Sequence, residues 1–90
     1  VSGGRLNLVL EGERRYAVEI SAGDQTWHAS LEIDPAGHVG FGAWQPPDPP
    51  AWLCQAATAV MRAEWRARQV PDAPPWPRRI TRWRRGPDDV

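Results

Sequence analysis

Apolar and polar positions alternate in four successive runs through the first half of the chain. Leu6, Leu8 and Leu10 alternate with Asn7 and Val9, and Tyr16, Val18 and Ile20 alternate with Ala17 and Glu19. Trp27, Ala29, Leu31 and Ile33 alternate with His28, Ser30 and Glu32, and Val39, Phe41 and Ala43 complete the set. Successive side chains of a strand point to opposite faces, so a period of two marks strands with one buried face. The pattern predicts strands at about 5–11, 15–22, 25–33 and 38–44. Between them, Glu11-Gly12-Glu13-Arg14, Gly23-Asp24 and Asp34-Pro35-Ala36-Gly37 carry hairpin chemistry.

Registers follow from requiring the apolar faces to coincide, because a slip of one residue turns every side chain over. A two-residue loop at Gly23-Asp24 pairs Ile20 with Trp27, Val18 with Ala29 and Tyr16 with Leu31. A three-residue loop at Pro35-Ala36-Gly37 pairs Ile33 with Val39 and Leu31 with Phe41. A three-residue loop at Gly12-Glu13-Arg14 pairs Leu10 with Tyr16, Leu8 with Val18 and Leu6 with Ile20. All three satisfy one apolar face, which predicts an antiparallel meander.

The four prolines between Gln45 and Pro50 end the sheet, since proline cannot donate to a ladder. Asp48 as N-cap and Pro49 at the first helical position would open a helix over about 49–69. Leu53, Cys54, Ala57, Val60, Met61 and Trp65 fall on one broad face that can cover the sheet. The fold class expected is therefore α+β: a four-stranded antiparallel β-meander packed on one C-terminal α-helix, with a ββββα domain over 1–69. The remaining 70–90 read as an extended Pro/Arg/Trp-rich tail, its prolines forcing a polyproline-like path up to Arg78. Beyond Arg78 a fifth strand, a docked arm or a solvated tail are all open.

Composition changes this picture in three places. Eleven basic residues balance eleven acidic ones, which argues against a dedicated binder of nucleic acid or anionic membrane on totals alone. The halves differ, however: residues 1–58 hold three Arg against seven Asp/Glu, and residues 59–90 hold eight Arg against four. Every basic residue is Arg, a bias that a GC-rich, bacterial-type genome explains and that guanidinium recognition of anions would also use. One cysteine excludes an internal disulfide, so an intracellular, cytoplasmic setting is the expectation. No apolar run approaches the roughly 20 residues of a membrane span, and a start at Val1 suggests a piece of a longer chain.

Candidate chemistry is thin. His28 and His38 lie about 20 Å apart at roughly 3.3 Å per residue, too far for one metal whose bonds are about 2 Å. His28 opposite Glu19 reads as a cross-strand polar pair. Cys54, in the first turns of the helix, could be an activated nucleophile but sits on the apolar stripe, which favours an inert thiol. No phosphate loop, carboxylate pair or Ser/His/Asp arrangement is supported by spacing. Neither a catalytic residue, a cofactor nor a metal is expected. A small enzyme using His28 with Glu19, or Cys54, is the remote alternative.

The surplus of aromatic and guanidinium groups is what remains. Trp27 and Trp65 have core assignments, but Trp44, Trp52, Trp76 and Trp83 have none. One row of the second sheet face would read Asn7, Glu19, His28, Trp44, next to small residues at Ala17, Ser30, Gly40 and Gly42. In the tail, Arg78, Arg79, Arg82, Arg84 and Arg85 surround Trp83. Trp and Arg are enriched at interface hot spots, whereas tail tryptophans that fold back could instead complete a small core. The function expected is a non-enzymatic protein-interaction module, an adaptor or accessory subunit. It would dock another protein or a second copy through Trp44, His28, Glu19, Trp76 and the Arg/Trp tail, or through the helix side carrying Arg62 and Arg66. The alternative is a nucleic-acid-binding accessory protein using the 78–85 segment, its affinity sensitive to salt.

Overall fold

The computed structural model describes residues 3–86 and has an α+β architecture. Strands β1 (Gly3–Gly12), β2 (Arg15–Ala22), β3 (Gln25–Ile33) and β4 (Val39–Phe41) form the meander, followed by helix α1 (Ala51–Ala67) and a strand β5 (Arg79–Arg85). The sheet has five strands in the order β4-β3-β2-β1-β5, not four. The chain after α1 thus does not trail away: it crosses back and closes the β1 edge antiparallel, pairing Val9 with Arg79 and Gly3 with Arg85. The last four residues of the 70–90 tail lie outside the described residues.

All three hairpin registers take the pairing that the apolar faces demand. Leu8 faces Val18, Ile20 faces Trp27 and Leu31 faces Phe41. The first turn differs in detail. Gly12 pairs with Arg15 while Leu10 still pairs with Tyr16, so Glu11 bulges out and the loop shrinks to Glu13-Arg14. Arg14 takes a left-handed φ of 57° there.

The helix also starts later than expected. Asp48 has φ of 62° and does not cap; Pro50 is the N-cap residue, without a side-chain hydrogen bond. The cause is local: a residue followed by proline is disfavoured in the helical region, and this holds for both Asp48 and Pro49. At the other end Arg68 closes the helix instead of Gln69.

The core lies between α1 and one sheet face. Leu6, Leu8, Tyr16, Ile20 and Leu31 meet Leu53, Ala57 and Met61, all with no solvent exposure. Ile80 of β5 joins them opposite Leu8, and burying it contributes about 1.5 to 3 kcal/mol. Gly4 is where the helix start lands on β1: a Cβ there would lie 2.5 Å from Leu53 Cδ2 and 2.8 Å from Trp52 Cη2. Trp65 is half-buried and lies over Gly37, whose φ of 91° suits glycine; its Nε1 donates to the Pro35 carbonyl at 3.1 Å. No helix among the described residues is long and apolar enough to cross a membrane.

Candidate functional site

The strand β5 has two faces because its side chains alternate. Ile80, Arg82 and Arg84 share the helix side with Leu8, Leu6 and Gly4, and Arg82 and Arg84 line a cleft of about 150 Å³ with Ala59, Ala63 and Glu64. Arg79, Thr81, Trp83 and Arg85 share the opposite, open side with Val9, Asn7, Arg5 and Gly3. Arg78 precedes the strand, and its carbonyl accepts the Leu10 N–H at 2.8 Å, extending the β1–β5 ladder.

Trp83 is the outstanding side chain of the open face. It is 65% exposed, the largest exposure of any large apolar residue among those described. The ring leans across Gly3, where a Cβ would lie 2.9 Å from Cζ2. A side chain at position 3 would push the indole off the sheet. Around it stand Arg5 directly opposite, with Asn7, Thr81 and Arg85 as next neighbours. Thr81 Oγ1 donates to Asn7 Oδ1 at 3.2 Å and ties the two strands together beside the ring.

Charge is unevenly balanced across this face. Glu32 pairs with Arg15 at 2.7 Å, and Glu19 lies 3.7 Å from His28 Nδ1, an ion pair only when the ring is protonated. Arg5 and Arg79 make no ion pair among the described residues and are exposed. The β1–β5 half of the face thus carries the guanidinium groups of Arg5 and Arg79 without an ion pair among the described residues, whereas the Arg15 guanidinium of the β2–β3 half is engaged by Glu32.

Two residues expected on a docking surface are elsewhere. Trp44 is not beside His28: Gln45 bridges His28 instead, with backbone hydrogen bonds of 2.9 Å in both directions. The register slips by one residue after Gly42, which turns Trp44 over to pack on Phe41 at 5.3 Å and on the edge of the core. The same break limits β4 to Val39–Phe41 rather than 38–44. Trp76 is half-buried, 6.5 Å from the Tyr16 ring, with the Arg68 guanidinium 4.8 Å from its centroid. It packs against the edge of the core. His28 and Glu19 do lie together on the open face, three and two strands away from Trp83 respectively.

Arg68 is a residue the sequence did not single out. Its guanidinium donates to the Glu64 carbonyl and carboxylate at 2.7 Å each and to the Pro75 carbonyl at 2.9 Å. With the indole of Trp76 beneath it, this fork clasps the proline segment to the end of α1. The only prior hint was Glu64 four residues before Arg68, an ordinary helix pair.

The other candidate groups are chemically quiet. Burial pushes the Cys54 thiol up, which disfavours the thiolate. The Asp34 carboxyl is held below its usual range, first by the His38 N–H that donates to it at 2.8 Å; the His38 ring lies 3.2 Å from its other oxygen. These contacts shape the Asp34–Gly37 turn. Among the described residues no group of three or more His, Cys, Asp or Glu could hold a metal ion. No family model, curated protein or solved structure matches this chain.

Proposed function

We propose that this domain is a non-enzymatic binding module, an accessory unit that holds an anionic partner against the β1–β5 half of its open sheet face. The observation that carries this reading is Trp83: an indole left 65% exposed on a folded strand, on the same face as Arg5 and Arg79. Tryptophan is highly buried on average, so an indole left this open opposite Arg5 offers its ring face to a partner. The raised thiol pKa of Cys54 and the solvent-exposed geometry of His28–Glu19 support leaving catalysis out of the proposal.

An adaptor role toward an acidic protein is the second reading, and one feature favours it. The sheet order ends at β5, so that strand has an outward edge onto which a partner strand could add.

Heparin affinity chromatography of the full chain tests the basic surface. Arg5→Gln with Arg79→Gln should elute at clearly lower salt than the wild type. Arg62→Gln with Arg66→Gln, on the exposed side of α1, carries the same loss of charge and should shift elution much less. Equal shifts for the two pairs would mean that the interaction follows net charge alone, and the assignment to this face would fail.

A further inference from the structure

We infer that the anionic partner of the β1–β5 face is single-stranded nucleic acid, its bases stacking on Trp83 and its phosphates meeting Arg5 and Arg79. The inference rests on the binding-module reading above and adds the chemistry of the ligand. Three observations carry it: the first separates it from a protein partner, the second from a duplex, and the third places the path of the polyanion.

The first is what surrounds the indole. A tryptophan that anchors a protein interface sits in an apolar, desolvated centre. Trp83 has Arg5, Asn7, Thr81, Arg85 and Gly3 around it on its face, with no apolar side chain among them. A polar surround suits an aromatic ring that stacks, because a base brings its own apolar face and leaves the flanking groups in water.

The second is spacing. Arg79, Thr81, Trp83 and Arg85 project from one side of a straight strand, so successive groups stand about 6.6 Å apart at roughly 3.3 Å per residue. This is a repeat that an extended phosphodiester chain running along the strand can follow. A duplex presents its bases stacked inside and would offer the indole nothing to stack on.

The third is the distribution of charge. Glu32 is held by Arg15, and Glu19 lies two strands in from β5, so a polyanion crossing β1 and β5 meets Arg5 and Arg79 first. Arg82 and Arg84 on the reverse side add to the positive potential of the same edge.

The experiment is fluorescence anisotropy of the full chain with labelled 12-nucleotide DNA and RNA, a matched duplex, and a labelled polyglutamate peptide. Titrations are run at 50 and 200 mM salt. Single strands should bind more tightly than the duplex. With two phosphate contacts, at Arg5 and Arg79, and a slope near 0.7 each, affinity should fall roughly seven-fold between the two salts. Trp83→Ala should weaken binding by about ten-fold or more, the cost of one lost stacking partner. Trp83→Phe keeps a ring and should retain most of it. Thermal melts of both variants check that β5 stays in place. Duplex binding as tight as single-strand binding, or indifference to Trp83→Ala, overturns the inference. Binding of polyglutamate alone overturns it too, while leaving the anionic-partner reading intact. Binding to none of the probes overturns both.

Discussion

Tyr16 shows how much one polar atom can do in a core of this size. Its ring is buried without exposure, and its hydroxyl donates to the Pro77 carbonyl at 2.6 Å, across 61 residues of sequence. Burial is the main cause that pushes its phenol above the ordinary value of 10.0. Ionisation would put a charge in the core and remove the donor. A group whose folded pKa is raised contributes stability that is complete below the unfolded value and is lost as pH rises through the folded value. The wild type should therefore lose stability as pH climbs above 10.0. Tyr16→Phe should be about 1 kcal/mol less stable at neutral pH, the worth of one hydrogen bond. Its alkaline loss should be shallower than that of the wild type. Urea titrations at neutral and alkaline pH check both statements, and parallel pH profiles for the two proteins would contradict the assigned role.

At the scale of elements, the meander was readable because each strand carries its own period-two code and each turn its own chemistry. Three registers could be derived by matching apolar faces, since any slip would have buried Asn7, Glu19 or His28. β5 was not readable in the same way. Of its seven residues only Ile80 is buried, and Arg82 and Arg84 occupy the positions where a core strand would show further apolar groups. Its place beside β1 is set by partners distant in sequence: Leu8 across from Ile80, Tyr16 under Pro77, and Arg68 holding Pro75. The candidate surface was legible only in part for the same reason. The Arg/Trp cluster stood out, but which of its members point outward depends on a pairing with β1 that no local pattern records. Trp44 went astray through a one-residue slip at a glycine, where pattern has least hold.

The clasp at Arg68 yields a prediction at this scale. The side chain is only 11% exposed, and Glu64 beside it is 21% exposed. Arg68→Met should cost about 2 to 4 kcal/mol, because it frees the proline segment and leaves a half-buried carboxylate without its partner. Arg68→Lys should recover only a fraction, since an ammonium cannot serve two carbonyls and a carboxylate while stacking on Trp76. Melts of the two variants at about 4 to 8 °C per kcal/mol would resolve the difference. Hydrogen exchange should place the earliest loss of protection at Leu10, whose N–H is held by the Arg78 carbonyl at the β1–β5 junction. A wild-type melting point for Arg68→Met would mean that Tyr16 and Ile80 hold the segment unaided.

For the whole molecule, the open question of any sheet is its edges, which expose unpaired backbone groups to other chains. One edge is β4, only three residues long. The other is β5, seven residues long with Arg at four of them. Short length limits pairing at the first edge, and charge repulsion limits it at the second. The same arginines thus serve solubility and, on the open side, the proposed recognition of an anion. These two roles separate by face: Arg79 belongs to the recognition side, whereas Arg82 and Arg84 lie toward α1. Replacing the latter pair by threonine keeps a strand-compatible residue and removes two charges from the edge. Arg82→Thr with Arg84→Thr should then self-associate through β5, giving a concentration-dependent shift in size-exclusion elution toward a dimer or larger species. High salt should push the wild type in the same direction more weakly, because screening at 1 M shortens the reach of the repulsion to about 3 Å. Nucleic-acid binding by the double variant should persist with its salt dependence little changed, since Trp83, Arg5 and Arg79 are untouched. A variant that remains monomeric at all concentrations would show that twist and shape, not charge, keep this edge closed.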